Sequence, residues 1–148
     1  MGVMEYLLGA SWVWFMGFFP LFEIYVAVPA GMATGIGPAS VLLWAIAGNF
    51  APILLIHFSY DRLLGMGRFG RWLQGLASEK MQARLNRWGP LFVFLATPIT
   101  GVWVMSVTAK VLRMNSQKFL LYSFLSITTY GLILIALIQF GVSVVSAS

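Results

Sequence analysis

A single carboxylate lies inside a long apolar stretch of this chain. Between Tyr6 and Tyr60 the only charged side chain is Glu23, in the segment FFPLFEIYVAVPAG. Apolar stretches of about 20 residues cross the roughly 30 Å hydrocarbon core of a bilayer as helices. An ionisable residue at that depth costs at least about 2.5 kcal/mol, so by default it marks a functional site. The sequence therefore predicts an all-α integral membrane protein with Glu23 in its functional site.

The composition narrows the classes of chemistry. Of 148 residues, 60% are hydrophobic, none is cysteine, and His57 is the single histidine. A thiolate metal site and a disulfide framework are therefore excluded, and one histidine leaves little for a zinc centre. The sequence also contains no recognisable Ser-His-Asp set or phosphate loop. We expect a protein that is not an enzyme and that uses no metal and no cofactor.

The basic residues predict the topology. All nine lie between Arg62 and Lys118, and residues 61–88 hold six of them with two acidic residues. Basic residues collect in cytoplasmic loops and attract anionic lipid rather than nucleic acid in a chain of this kind. We therefore predict a cytoplasmic amphipathic segment at 61–88 that contacts anionic phospholipid. A single crossing by residues 89–109 would separate the two basic clusters across the membrane, so Leu91–Lys110 is predicted to be a re-entrant hairpin.

An offset of 78 residues, which aligns Pro20 with Pro98, predicts an internal repeat. Each unit is a re-entrant hairpin followed by a membrane span, with repeat 1 at about 6–60 and repeat 2 at about 89–141, in one membrane domain over 1–148. The basic linker requires the two units to be inverted. The predicted spans are Pro38–Tyr60 and Ser116–Gln139. The predicted hairpin bends are Pro20, Pro29, Gly31, Pro98 and Gly101. The alternative is a bundle of four kinked membrane helices.

The hairpin tips are predicted to face each other near the midplane, where broken helices of transporters bind substrates and ions. Glu23 is the predicted proton-coupling residue, because a carboxylate in a partly dry cavity favours its protonated form. Asn49, Thr100 and Trp103 are the predicted neighbours. The alternative role for Glu23 is that of a cap on free amides at the broken helix. Two further residues, Lys110 and Arg113, are predicted to be cytoplasmic anchors or contacts to a lipid phosphate.

Several short motifs resemble a known family. Pro20-x-x-Glu23, Pro29-x-Gly31 and Pro98-x-Thr100-Gly101-x-Trp103 resemble the small multidrug export proteins of prokaryotes, which are related in plan to the DedA or VTT-domain superfamily. The resemblance implies paired re-entrant hairpins and proton-coupled movement of drugs or lipid carriers in the inner membrane. One position departs from the family pattern, because Tyr25 stands where members often carry an arginine. A local Glu-Arg pair is therefore not available.

Transport is the predicted function: proton-coupled export of small lipophilic compounds, or translocation of a lipid carrier such as a polyprenyl phosphate. Two alternatives stay open, a scaffold or assembly factor without transport and a four-helix antiporter like the small multidrug resistance proteins. Two spans and two hairpins enclose little space, so a homodimer is expected.

Overall fold

Seven helices and no strand form residues 2–147, the part of the chain that the computed structural model describes; side chains are described for residues 2–143. The first three helices are α1 (Val3–Phe18), α2 (Glu23–Ala33) and α3 (Pro38–Leu64). The break between α1 and α2 contains Pro20, which has no amide hydrogen to continue a helix. The break before α3 contains Gly35 and Gly37, whose φ angles of 78° and 83° favour glycine.

The remaining four helices are α4 (Gly67–Gly75), α5 (Glu79–Thr100), α6 (Val102–Val111) and α7 (Ser116–Ala147). The predicted helix start after Ser78 is confirmed, because the Ser78 hydroxyl accepts a hydrogen bond from the Met81 amide at 3.3 Å. The α5 backbone kinks at Gly89, where φ is 55° and ψ is −137°. This kink separates the amphipathic residues 79–88 from the apolar residues 90–100.

The order of the helices in the second half repeats that of the first. Helices α3 and α7 begin at Pro38 and Ser116, the two residues that the predicted alignment pairs. Helices α2 and α6 end at Ala33 and Val111, which are also 78 residues apart. The predicted starts of the two long spans are confirmed, and both helices continue beyond their predicted ends. The inversion of one half relative to the other stays a prediction.

Helix length distinguishes the long helices from the short ones. Two helical segments, Pro38–Leu64 and Ser116–Ser143, are long and apolar enough to cross a membrane, with a hydropathy of 2.0 each. Helix α2 has 11 residues and α6 has 10, so each is only about 15–16 Å long at 1.5 Å per residue. Neither short helix can cross a hydrocarbon core of about 30 Å alone. Re-entrant hairpins need such short helices, and entry and exit on one membrane face stay a prediction.

The chain divides into two compact units. Unit 1 contains Met1–Asn49 and Ile127–Ser148, and unit 2 contains Phe50–Ser126. Unit 1 includes the contacting pair α1 and α2, unit 2 includes the contacting pair α5 and α6, and both include part of α3 and of α7. All nine basic residues belong to unit 2, whereas the charged side chains of unit 1 are Glu5 and Glu23. The two units therefore carry opposite charge.

Glycines bring α1 close to α3 within unit 1. A Cβ atom on Gly48 would lie 2.1 Å from the carbonyl oxygen of Trp14, and one on Gly17 would lie 2.8 Å from that of Ala45. The two helices therefore touch backbone to backbone, the close approach that small residues allow between membrane helices. This contact holds the last turn of α1, just before the Pro20 break, against the middle of α3.

Helix α4 packs against the start of α6 in unit 2. The rings of Phe69 and Trp72 lie 6.2 Å and 5.8 Å from the Trp103 ring, measured between centroids. Leu73 on the same helix is fully buried. The basic segment predicted to lie along the membrane surface thus also packs on the second pair of short helices, through aromatic side chains.

Pro98 does not end α5, although it was predicted as a hairpin bend. A proline leaves the carbonyl four residues earlier without a helical donor, and here the Ser126 hydroxyl donates to that Phe94 oxygen at 2.6 Å. Hydroxyl groups that satisfy freed carbonyls let membrane helices continue through proline. The helix ends instead at Gly101, where φ is 91° and ψ is 147°.

Large apolar side chains lie on the outside of both units as well as in their cores. Leu21 is 81% exposed, Phe58 is 76% exposed and Ile99 is 77% exposed. Soluble proteins rarely expose large contiguous apolar patches. In a membrane protein such side chains face lipid.

Candidate functional site

The candidate site lies in unit 1, where α2 begins. Glu23 is the first residue of α2, directly after the Pro20 break, and its amide donates to the Phe19 carbonyl at 3.2 Å. Its side chain is 7% exposed. The N-terminus of a helix favours a carboxylate, because the unpaired amides there carry partial positive charge. The predicted position of Glu23 at a break between two short helices is therefore found.

The backbone of Glu23 is strained. Its φ angle is 48°, a left-handed value that residues with a side chain rarely adopt. Such conformations cost on the order of 1–3 kcal/mol and concentrate at functional sites. The predicted alignment pairs Glu23 with Gly101, whose φ is also positive, at 91°. One half of the chain thus meets this requirement with glycine and the other half meets it with glutamate.

Helix α7 lies beside Glu23. A Cβ atom on Gly131 would lie 3.0 Å from the Ile24 side chain, so α7 passes close to the first turn of α2. Tyr25 interacts electrostatically with Glu23 and with Tyr130, the residue before Gly131. Glu23 therefore lies in a region that contains two phenol groups, and sequence reasoning identified neither of them as part of the site.

Two buried oxygens of unit 1 have no donor among the side chains that the structure describes. These are Oδ1 of Asn49, which is 1% exposed, and Oγ1 of Thr128. The Asn49 amide nitrogen lies 3.0 Å from the Cβ position of Gly17, so Asn49 adjoins the last turn of α1. An unsatisfied buried acceptor costs about 1–3 kcal/mol, which a bound donor would recover. Asn49 is thus a buried acceptor near the break that precedes Glu23, in agreement with its predicted place.

The sequence holds no lysine, arginine or histidine in residues 1–49 and 127–148, the two segments of unit 1. No side chain of this unit can therefore supply a positive charge to Glu23. A proton or a cationic ligand could balance the carboxylate. This arrangement can bind and release a proton, and it can bind a cation of moderate size.

Thr100 and Trp103 belong to unit 2, and each is satisfied there. The Thr100 hydroxyl donates to the Ala96 carbonyl at 2.9 Å, one turn earlier in α5. The Trp103 side chain is 4% exposed and packs on Phe69 and Trp72. In this unit the Trp103 ring is thus a packing element for α4. The predicted contact of Thr100 and Trp103 with Glu23 stays a prediction.

Lys110 connects two helices of unit 2. Its ammonium group donates to the His57 carbonyl of α3 at 2.9 Å, next to a cavity of about 20 Å³. A cavity of that size holds about one water molecule, so it is too small for a phosphate group. The structure therefore gives Lys110 a part in holding α6 against α3.

Arg113 ends α6 in a left-handed conformation with φ of 51°. The Arg113 amide donates to the Lys110 carbonyl at 3.1 Å, and the Met114 amide donates to the Ala109 carbonyl at 3.0 Å. This is the Schellman pattern, in which glycine normally occupies the left-handed position. The predicted alignment pairs Arg113 with Gly35, whose φ is 78°. At two aligned pairs, then, one half carries glycine and the other a charged residue.

The residues predicted as hairpin bends occupy two kinds of position. Pro20 lies between α1 and α2, and Gly101 lies between α5 and α6. Pro29 and Gly31 lie inside α2, and Pro98 lies inside α5. Gly31 serves helix packing, because a Cβ atom there would lie 2.7 Å from the side chains of Val13 and Val41.

Tyr130 and Thr128 are the site residues that sequence reasoning missed. Both lie in a span whose neighbours are apolar, and one polar group per helical turn is an ordinary feature of membrane helices. A signal was present nonetheless, since Thr128, Thr129 and Tyr130 form an uninterrupted polar run in the middle of α7.

Together these features define a helical membrane protein with a buried carboxylate at a break between two short helices. Residues 23–133 match the model of the family described as "Putative small multi-drug export protein". The match covers well over half of the chain, and the chain belongs to this family. No curated protein and no solved structure matches it. The relation to DedA or VTT-domain proteins stays a prediction.

Proposed function

We propose that this protein exports small lipophilic cations across the cytoplasmic membrane of a prokaryote in exchange for protons, with Glu23 binding the proton and the cation in turn. The proposal is not enzymatic and requires no cofactor. One observation carries it: Glu23 is buried and holds a left-handed backbone that glycine would adopt at lower cost, as Gly101 does in the second half. A residue that served only to turn the chain would be better replaced by glycine.

The charge of unit 1 supports a cationic substrate. Its segments contain no basic side chain, so a proton or a positively charged compound is needed to balance a buried Glu23. A carboxylate that can bind either one, but not both at once, couples outward movement of the cation to inward movement of the proton. The buried acceptor of Asn49 and the phenol of Tyr130 lie on elements beside this carboxylate and would orient a polar group of the substrate.

The short helices support an alternating-access mechanism. Helices α2 and α6 are each about half as long as a membrane is thick, and each follows a break with positive φ. In transporters with inverted repeats, such broken helices surround the substrate near the midplane. We therefore propose that the two pairs of short helices are inverted re-entrant hairpins that gate the site, and that two copies of the chain form the transport unit.

Proton release on substrate addition tests this function. Purified protein in weakly buffered detergent solution would receive tetraphenylphosphonium, and the released protons would be followed with a pH indicator. We expect about one proton per bound cation for the native chain and none for Glu23→Gln, which keeps the shape of the side chain and cannot lose a proton. Glu5→Gln is the matched control, because Glu5 is exposed near the start of α1.

Each outcome separates the functions under comparison. Loss of proton release in Glu23→Gln at normal thermal stability supports exchange. Unchanged release would remove Glu23 from the mechanism, and collapse of the fold in Glu23→Gln would identify a structural cap. Proton uptake or release with a polyprenyl phosphate, and not with tetraphenylphosphonium, would favour a lipid carrier as the substrate.

A further inference from the structure

A groove and a polar cavity meet at the kink of α5, both of them within unit 2. The groove has a volume of about 360 Å³ and is lined by Trp88, Leu91, Phe92, Leu95, Ala96 and Ile99. These residues recur at three- and four-residue spacing, so they form one face of a helix. Four of them, Trp88, Leu91, Leu95 and Ile99, are about half exposed or more. The groove is thus an open apolar face.

The polar cavity lies on the other side of the kink. It has a volume of about 250 Å³, and its polar lining comes from Asn86, Asn115, Lys118 and the backbone of Gly89. Lys118 lies in the first turn of α7, which contains no acidic residue, and its side chain is exposed. Because Trp88 and Gly89 are consecutive, the apolar groove and the cationic cavity adjoin. A ligand that fills both must be amphipathic.

The charge of this region requires an anion from outside the chain. After Glu79 the sequence contains no acidic residue, while Lys80, Arg84, Arg87, Lys110, Arg113 and Lys118 follow it. Arg87 lies over the Trp88 ring at 5.5 Å, which adds a further cation at the junction. A second copy of α5–α7 packed on this face would bring cations and no carboxylate. The charges therefore favour an anionic ligand over a second copy.

The length of the groove matches a lipid chain. From Pro90 to Ile99 the helix rises about 14 Å, at 1.5 Å per residue. Half of a hydrocarbon core of about 30 Å is about 15 Å, the depth that one acyl chain occupies in its leaflet. We propose that unit 2 binds one phospholipid with an anionic headgroup, its acyl chain along the groove and its phosphate beside Lys118. This inference does not rest on the proposed export function.

Tryptophan quenching tests the site. The native chain and Trp88→Phe, in detergent micelles, would be titrated with brominated phosphatidylglycerol or brominated phosphatidylcholine, and the difference between the two proteins gives the quenching of Trp88. We expect phosphatidylglycerol to quench Trp88 at lower concentration than phosphatidylcholine. Lys118→Gln should weaken this preference about fivefold, since a basic residue near anionic lipid contributes about a factor of five.

Two variants complete the test. Ala96→Phe should fill the groove and reduce quenching by both lipids, while Arg68→Gln, an exposed cation on α4, should leave the preference unchanged. Thermal unfolding would show that each variant is folded. Equal quenching by both lipids, or no effect of Lys118→Gln, would overturn the proposal and leave ordinary bilayer contacts. Disulfide-linked dimers of a Leu95→Cys variant in lipid nanodiscs would instead identify a second copy as the occupant.

Discussion

Replacement of Glu23 by glycine and by alanine separates the two roles of this residue. Both variants remove the carboxylate, and they differ in whether the left-handed backbone, φ of 48°, is strained. A side chain in that region costs about 1–2 kcal/mol, whereas glycine loses about 0.5–1 kcal/mol more backbone entropy on folding than alanine. Glu23→Gly should therefore be more stable than Glu23→Ala by about 0.5–1 kcal/mol.

The same argument places both variants relative to the native protein. A carboxylate in the first turn of a helix contributes about 0.3–1 kcal/mol, and a buried one contributes up to about 2 kcal/mol. Glu23→Ala loses this contribution and keeps the strain, so it should be less stable than the native chain by about 1 kcal/mol. Glu23→Gly loses the contribution and the strain together, and its free energy of unfolding should stay within about 0.5 kcal/mol of the native value.

The assay is equilibrium unfolding in mixed micelles with increasing denaturing detergent, followed by helical circular dichroism, together with tetraphenylphosphonium-induced proton release. We expect Glu23→Gly to be well folded and inactive. If Glu23→Ala were at least as stable as Glu23→Gly, the strained backbone would be refuted. If Glu23→Gly still released protons, the coupling role would be refuted whatever its stability.

Three further changes test the packing. Gly48→Ala should separate α1 from α3 and destabilise by about 1–3 kcal/mol, because the added carbon would lie 2.1 Å from a backbone oxygen, while Gly141→Ala, with open space around it, should be neutral or stabilising in thermal unfolding. Ser126→Ala should cost about 1–3 kcal/mol in the same measurement, since the carbonyl freed by the α5 proline loses its donor. Trp103→Ala should release α4 and speed tryptic cleavage there, whereas Trp12→Ala, 49% exposed, should not; equal cleavage rates would contradict the packing of α4 on the Trp103 ring.

Local chemistry made several elements predictable. Pro38 and Ser116 begin the two long helices, because proline fits the first helical turn and the segments that follow are apolar throughout. Ser78 begins α5 for the same kind of reason, with a hydroxyl that accepts from the first turn. The break at Pro20 also follows from a missing amide hydrogen. Each of these signals lies within a few residues of the feature that it determines.

The features that could not be predicted depend on residues distant in sequence. Pro98 looked like a bend, and it continues the helix because Ser126, from another helix, satisfies the freed carbonyl. Likewise, packing on α4 could not be read from the residues around Trp103. The proximity of Tyr130 to Glu23 has the same cause, since apolar spans differ little in sequence and do not specify which faces meet. The site residue Glu23 was predictable because a charge in an apolar run is costly anywhere.

The two aligned breaks should respond to mutation for opposite reasons. At Gly101 the backbone, with φ of 91° and ψ of 147°, lies close to a region that is open essentially to glycine alone, so almost any substitution there should prevent folding. At Glu23 the fold should accept many residues, yet transport should accept one. In a selection for correctly inserted protein, the library would keep position 101 nearly invariant and let position 23 vary. A selection for drug efflux would restrict both, and the difference between the two selections would identify which half of the chain carries the chemistry.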